Sequence, residues 1–444
     1  MDVFVERCAG YDDTVIDGAL ARWERLFASR IRPGYTVTIK PNWIAASHKY
    51  DEALWEPVIT HPAVITAVLR RVLKCLDGRG QVIIADAPQT QTSWSQLMAR
   101  MTPDLWVKMG AQAGVPVSIL DLRDHEWTTR NDVIVQRRTL AGDPRGSTEC
   151  DLGAFSEFVG SRPGAKGYFG ADYDLQETND VHSNGHHKYR VSRSIIASDV
   201  FINLPKLKTH KKAGITCSLK NLVGINTYKN WLPHHAEGTP DEGGDQFPQP
   251  GWKAKLEGQL MGGFRRILVR HGRLGSVLAP VKSVGRSVFG DTREVIRSGN
   301  WHGNQTLWRM VLDLNKILFY ANPDGTLREP EAGSCKPYIS IVDGIVAGEG
   351  DGPEAPDAKR TGLLIAGTSP VAVDAVCAKL MGFDWRKIPS LANALAMRRF
   401  PIARFQYDEI GVVSSSSDLN RTIVELPVPS PFKPHFGWLG HIEA

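Results

Sequence analysis

Between Thr36 and Leu122 the chain alternates short β-branched runs with longer stretches of helical spacing, and this alternation limits its fold more than any other feature. TVTIKPNW is a strand-like run ending at Pro41 and Asn42. HPAVITAVLRRVLKCL, from His61 to Leu76, places its apolar residues at helical spacing, with Pro62 where a first turn tolerates it. QVIIADAP is a buried type of strand ending in Asp86, and a second helical pattern over 95–113 leads to the strand PVSILDL. Strand, helix, strand, helix, strand over such a length predicts α/β architecture: a mostly parallel sheet under covering helices, in two lobes.

The remaining punctuation extends this reading. Residues 130–139 alternate like a hairpin strand, whereas 141–180 are rich in Gly, Pro and Asp and read as surface connection. Further strands are expected at Val200–Leu204, Tyr338–Val342, Gly362–Ala366 and Gly411–Ser414. Ser369, Pro370 and Gly382 mark the start and stop of a helix. An amphipathic helix is predicted from about Gln305 to Tyr320, with Trp308, Val311, Leu312 and Ile317 available for burial. On these grounds the chain divides into an N-terminal α/β lobe (1–140), a lobe with the central motif and His-rich loops (141–252), a basic helical insertion (253–300), a C-terminal α/β part (301–425) and an extended tail (426–444).

The densest polar text is NLPKLKTHKKAGITCSLKNLVGIN, from Asn203 to Asn226. If the strand continues through it, Lys206, Lys208 and His210 project from one face at period two. Lys220 and Asn221 follow after Gly214 and Thr216. Cations and an imidazole converging past a strand end suit a phosphate or carboxylate, with Lys208, His210, Lys220 and Asn221 as catalytic candidates. Lys206, Asn42 and the backbone of Gly350 and Gly352 are candidates for holding substrate. A solvated basic turn is the competing reading, and the preferred one for Lys211 and Lys212.

Histidines and carboxylates form a second set. His182, His186 and His187 precede the motif, and His234 and His235 follow it beside several acidic residues. His187 and His235 with Asp86, Asp343 and Glu349 form a donor set compatible with a divalent metal such as Zn, Mn or Fe(II), or with acid–base pairs. Neither HExxH nor HxH spacing is present, and mobile surface loops carrying incidental histidines are the alternative. Asp374, inside a helix, reads at least as well as a structural hydrogen-bonding residue.

NLPKLKTHKKAGITCSLKNLVGI closely resembles the core motif of the domain of unknown function 362 family. IKPNW, THPAVITAVL and VIIADAP resemble its N-terminal signatures, and VDGIVAGEGDGP and SPVAVDAVCAKLMG its C-terminal ones, in the expected order. The resemblance implies no general reaction. Many members carry cysteine motifs for iron–sulfur clusters. Here the six cysteines are scattered with no CxxC pair, so no Cys-ligated cluster and no disulfide framework is expected. At the level of fold alone the arrangement also resembles the nickel-pincer lactate racemases, whose site contains lysine and histidine.

Composition narrows the classes further. Of 444 residues, 42% are hydrophobic and 23% charged, values of a folded globular chain. A net charge of +5, without a zinc finger or a recognition-helix signature, is not a nucleic-acid profile. The acidic MDVFVERCAGYDDTV does not read as a secretion signal, and no apolar run approaches the roughly 18–20 residues of a spanning helix. A cytoplasmic location is expected, peripheral on the inner face of a membrane if the basic block at 253–297 docks there. That block holds ten Lys/Arg against three Asp/Glu, with apolar residues at helical spacing; a lid packed on the protein's own core is the competing explanation. The expected function is an enzyme of unassigned reaction acting on a small anionic molecule. The alternatives are a peripheral membrane adaptor and a redox protein with a metal held by His and carboxylate.

Overall fold

The computed structural model describes residues 1–130, 133–164, 167–172, 174–249, 295–329 and 335–444. Eleven strands build the main sheet. They are β1 (Asp2–Arg7), β2 (Thr36–Pro41), β3 (Gln81–Asp86), β4 (Val117–Asp121), β5 (Val200–Leu204), β6 (Lys206–His210), β7 (Gly214–Thr216), β8 (Tyr338–Asp351), β9 (Ala355–Lys359), β10 (Leu363–Gly367) and β11 (Gly411–Val413). The order is β11-β1-β10-β8-β5-β2-β3-β4, and β6, carrying β7, branches from β8 together with β9. Pairing is parallel from β8 through β5, β2 and β3 to β4, as the strand–helix alternation predicts. β10 runs antiparallel between β8 and β1.

Period two decides what each face buries. Val37, Ile39, Val82, Ile84, Ile202 and Leu204 point into one apolar cluster with α1 (Pro62–Leu76) and α2 (Pro103–Gln112). Ile83, Ala85, Phe201 and Val342 point into the other, with α3 (Leu307–Tyr320) and α4 (Pro370–Leu380). The result is three layers, helices over both faces of one sheet. α1 starts where Pro62 and the His61 side chain, accepting from the Ala63 amide at 3.1 Å, satisfy a first turn. It stops at Asp77, whose φ of 48° is left-handed. Trp308, Val311, Leu312 and Ile317 are buried as their spacing predicts.

Three sequence expectations change. The pattern at 95–113 is two helices, Trp94–Ala99 and α2, because Pro103 starts a new first turn rather than continuing the old one. Residues 141–180 are not merely surface connection: Ser147–Asp151 pairs with Lys188–Ser192, Tyr168–Gly170 pairs with Pro233–Ala236, and Cys150, Leu152, Phe158 and Tyr168 are buried. Their apolar residues are too widely separated by Gly, Pro and Asp to show a period. The third is β8, expected to end at Val342, which runs on through Asp351 with GEGD as strand paired with β9.

Residues 427–444 dock on the domain. Trp438 and Ile442 are buried and lie where a Cβ on Gly214 would be, the Ile442 Cδ1 2.7 Å from that position. Trp438 also donates its indole N–H to the Lys211 carbonyl at 2.9 Å. The basic block falls on residues outside those described, apart from Val295–Arg297. No helix among the described residues is long and apolar enough to cross a membrane.

Candidate functional site

The parallel strands β2 and β3 end side by side, and their last polar residues face each other. Lys40 Nζ lies 2.8 Å from Asp86 Oδ1, with both side chains almost fully buried. Val37 and Ile39 face the α1 layer, so period two turns Lys40 to the opposite side. Lys40 also donates to Asn221 Oδ1 at 3.2 Å and to the Pro41 carbonyl at 2.9 Å. Gly224 is required beside this pair, because a Cβ there would fall 1.9 Å from Asp86 Oδ1. Over this floor lies a cavity of about 300 Å³, its rim formed by β6 and the residues after it, the 86–91 loop and Glu354. Its position beyond the carboxyl ends of parallel strands is where open α/β sheets gather ligands.

Five lysines line it: Lys40, Lys211, Lys212, Lys220 and Lys229, against the carboxylates Asp86, Asp172 and Glu354. Most of these cations are engaged. Lys211 pairs with Glu354 at 3.2 Å. Burial pushes the Glu354 carboxyl up, but Lys211 and Lys49 outweigh it and hold the group at about 2. Lys229 donates to the Ala87 and Asn226 carbonyls at 2.8 and 3.1 Å, and burial lowers its ammonium to about 8. Lys220 has no ion-pair or hydrogen-bond partner among the described residues. Burial first, then Lys229 and Lys40, bring its ammonium down to about 7.

Two histidines complete the wall with opposite tautomers. His210 Nδ1 accepts from the Lys212 and Ala213 amides at 3.0 and 3.1 Å, so its proton sits on Nε2. His234 Nδ1 donates to the Leu232 carbonyl at 2.9 Å, leaving Nε2 a bare acceptor. Burial and then nearby lysines, Lys220 for His210 and Lys212 for His234, hold both imidazoles neutral, well below the ordinary value. One ring offers the cavity a donor and the other a lone pair.

The short helix Ser218–Asn221 delivers Lys220 and Asn221. Asp374 on α4 caps it, accepting from the Ser218 and Leu219 amides at 2.7 and 2.9 Å. Asn315 on α3 donates to the Leu219 carbonyl at 3.1 Å. Burial raises the Asp374 carboxyl to about 6, ahead of the amide bonds that lower it.

Of the residues singled out from sequence, His210, Lys220, Asn221, Asn42 and Asp86 line this cavity. Lys208 does not. It is fully buried, donates to the Val58 carbonyl, and is pushed well below the ordinary lysine value by burial and by Lys206 and Lys220. Lys206 is consumed in a buried pair with Asp343 at 2.5 Å, shared with Tyr11. The amides of Gly350 and Gly352 donate to the Lys433 and Gly350 carbonyls, so that turn presents no open amide pair to an anion. The donor set drawn up for a metal is dispersed. His235 stacks on Phe169 at 4.7 Å, His187 packs on Phe158, Glu349 pairs with Lys359, and Asp86 and Asp343 each hold a different lysine. Among the described residues no group of three or more His, Cys, Asp or Glu side chains is placed to hold a metal. Lys40, Lys229, Asp172 and Glu354 were missed, His234 was named but passed over for His235, and Lys211 and Lys212 were read as solvated. For Lys40 the signal existed: a lone lysine ending a buried strand, in register with Asn203 of the motif.

Comparison with known proteins adds family but not activity. A thylakoid-associated protein of Synechocystis sp. is 38% identical over 72 residues, 16% of this chain and 22% of that protein. A Thermotoga maritima protein of known structure aligns with 79% of this chain and 56% of its own at 10% identity, with a TM-score of 0.34. The lactate racemase apoprotein of Thermoanaerobacterium thermosaccharolyticum covers 50% of this chain and 39% of its own at 11% identity, with a TM-score of 0.25. Likenesses of that size carry no argument about chemistry. The family model described as domain of unknown function 362 matches residues 156–379, just over half the chain and the whole of the motif region, and the chain belongs to that family.

Proposed function

We propose that the cavity binds a small phosphate- or carboxylate-bearing substrate and supports proton transfer on it. One observation carries the reading: Lys220 has no ion-pair partner among the described residues, in a cavity whose other lysines are mostly engaged. Lys220 is half-buried; holding an ammonium partly out of water with no carboxylate paired to it is costly, and an anionic ligand removes that cost. Lys220 is the charge contact, with Lys212 beside it. His210 donates through Nε2–H to a substrate oxygen, and the free Nε2 of His234 is the proton acceptor. Lys40, Asn221 and Asp86 are positioning residues that hold the floor in place. Lys208, which does not line the cavity, is given no role in this reading.

The test is thermal unfolding at pH 6.5 with millimolar phosphate, pyrophosphate, sulfate, acetate and malonate. A ligand at about a hundred times its Kd adds roughly 2.7 kcal/mol of stability, enough to raise the melting temperature visibly. Polyvalent anions are expected to stabilise the native protein and to have no effect on a folded Lys220→Met variant. No stabilisation by any anion, or equal stabilisation of both proteins, removes the proposal.

A further inference from the structure

A second cavity of about 320 Å³ lies behind the first, and Asp172 lines both. The two adjoin at Asp172 and along one stretch of chain. Along Tyr228, Lys229 and Asn230, the outer two line the second cavity and the middle one the first. The Trp127 amide donates across to the Thr90 carbonyl at 2.8 Å, while Thr90 Oγ1 donates to Asp172 at 2.9 Å on the first side.

The chemistry changes from the first cavity to the second. The second cavity has three carboxylates, Asp172, Asp174 and Glu177, and three aromatic rings, His125, Trp127 and Tyr228. Glu177 Oε2 accepts from Tyr228 OH at 2.6 Å and from Asn230 Nδ2 at 2.7 Å, which fixes the carboxylate against the ring. His125 meets Tyr228 edge-on at 5.9 Å. Fixed carboxylate acceptors beside ring faces suit a hydroxylated ring, whose O–H groups donate and whose C–H faces pack on aromatics. An organic cation fits less well, because Arg137 also lines this cavity and sits 5.0 Å over the Trp127 ring.

We infer that the two cavities are the two halves of one site for a sugar phosphate, with the phosphate among the lysines and the sugar between Glu177 and the aromatic rings. The inference rests on the anion-binding reading of the first cavity and names its substrate class. Asp172, at the junction, is placed to accept from a hydroxyl next to the phosphate ester.

Calorimetric titration of the full chain with inorganic phosphate and with a panel of aldose and ketose monophosphates tests both levels separately. At least one sugar phosphate is expected to bind at least about tenfold more tightly than phosphate. Glu177→Gln is expected to remove that advantage, by about ten- to a hundredfold for a charge-assisted hydrogen bond, while phosphate binding is unchanged. His125→Ala removes a ring packed edge-on against Tyr228 but none of the hydrogen bonds of Glu177, and it is expected to give the same selective loss, which covers the case of a misfolded Glu177 variant. If phosphate binds and no sugar phosphate binds more tightly, or if both variants weaken phosphate and sugar phosphate equally, the two-part site is wrong while the anion site stands. If neither phosphate nor any sugar phosphate binds, the anion site itself falls.

Discussion

Lys220 makes anion affinity a function of pH, and its ammonium, brought to about 7 by burial and the neighbouring lysines, sets the window. Only the protonated form attracts an anion, and the bound anion restores the ammonium toward its ordinary value of about 10.4. Affinity is therefore full below pH 7 and falls by about tenfold for each pH unit above it. Between pH 6 and pH 9 the loss comes to roughly ninetyfold, or about 2.7 kcal/mol. His210 and His234 stay neutral throughout, since both lie well below the ordinary imidazole value. Sulfate is the appropriate probe because it does not titrate in this range. Calorimetry in buffers of different ionisation enthalpy should show close to one proton taken up per sulfate at pH 8.5 and almost none at pH 5.5. In Lys220→Met the residual affinity should lose most of this dependence. An affinity flat from pH 6 to pH 9, with no proton uptake, would refute the argument that an uncompensated ammonium is the charge contact.

The same lysine bears on stability in the opposite sense. Its folded value lies below its unfolded value, so between about pH 7 and pH 10 the unfolded chain binds the extra proton and stability rises with pH. Lys220→Met should accordingly stabilise the ligand-free protein at pH 7 by on the order of 2 kcal/mol, read by urea unfolding. Lys208→Met should leave sulfate affinity within about twofold and stability within about 1.5 kcal/mol, since Lys208 packs against the Val58 carbonyl outside the cavity; a loss of binding comparable to Lys220→Met would return Lys208 to the site. Asp374→Asn should cost about 2–3 kcal/mol and weaken anion binding as well, because Asp374 accepts from both amides that start the Lys220 helix. Gly224→Ala should cost about 1–3 kcal/mol by forcing a methyl group against Asp86, with a crystal structure showing the Lys40–Asp86 pair separated.

The parallel half of the sheet was legible because its strands are short β-branched runs separated by helices of clear period, and α1, α3 and α4 declare their starts and faces. The site was only half legible. His210, Lys220 and Asn221 were found because they crowd one stretch of chain. Lys40 and Asp86 belong to different strands, and nothing local shows that parallel pairing sets their ends together. Period two correctly put Lys206, Lys208 and His210 on one strand, but it carries no information on depth. Lys206 and Lys208 are fully buried while His210 reaches the cavity wall. Sequence also offered no means of choosing between His234, which lines the cavity, and His235, which does not. Adjacent residues on a strand point opposite ways, and only the stack of His235 on Phe169 decides which one faces the cavity. The metal donor set is dispersed because carboxylates at strand ends are held by buried lysines, a pairing across long sequence distance.

The place of β1 has a consequence in time. Its six residues lie between β10 and β11, with Val3 opposite Gly367 and Asp2 opposite Gly411. A ribosome delivering this chain makes β1 several hundred residues before its partners, so Val3 and Val5 must wait without their sheet neighbours until those strands emerge. Contacts so distant in sequence form slowly, and an unpaired strand is open to wrong partners meanwhile. The edge of the sheet is thus where a chaperone or a slow step would act during production of this protein, far from the cavity and independent of what the cavity binds.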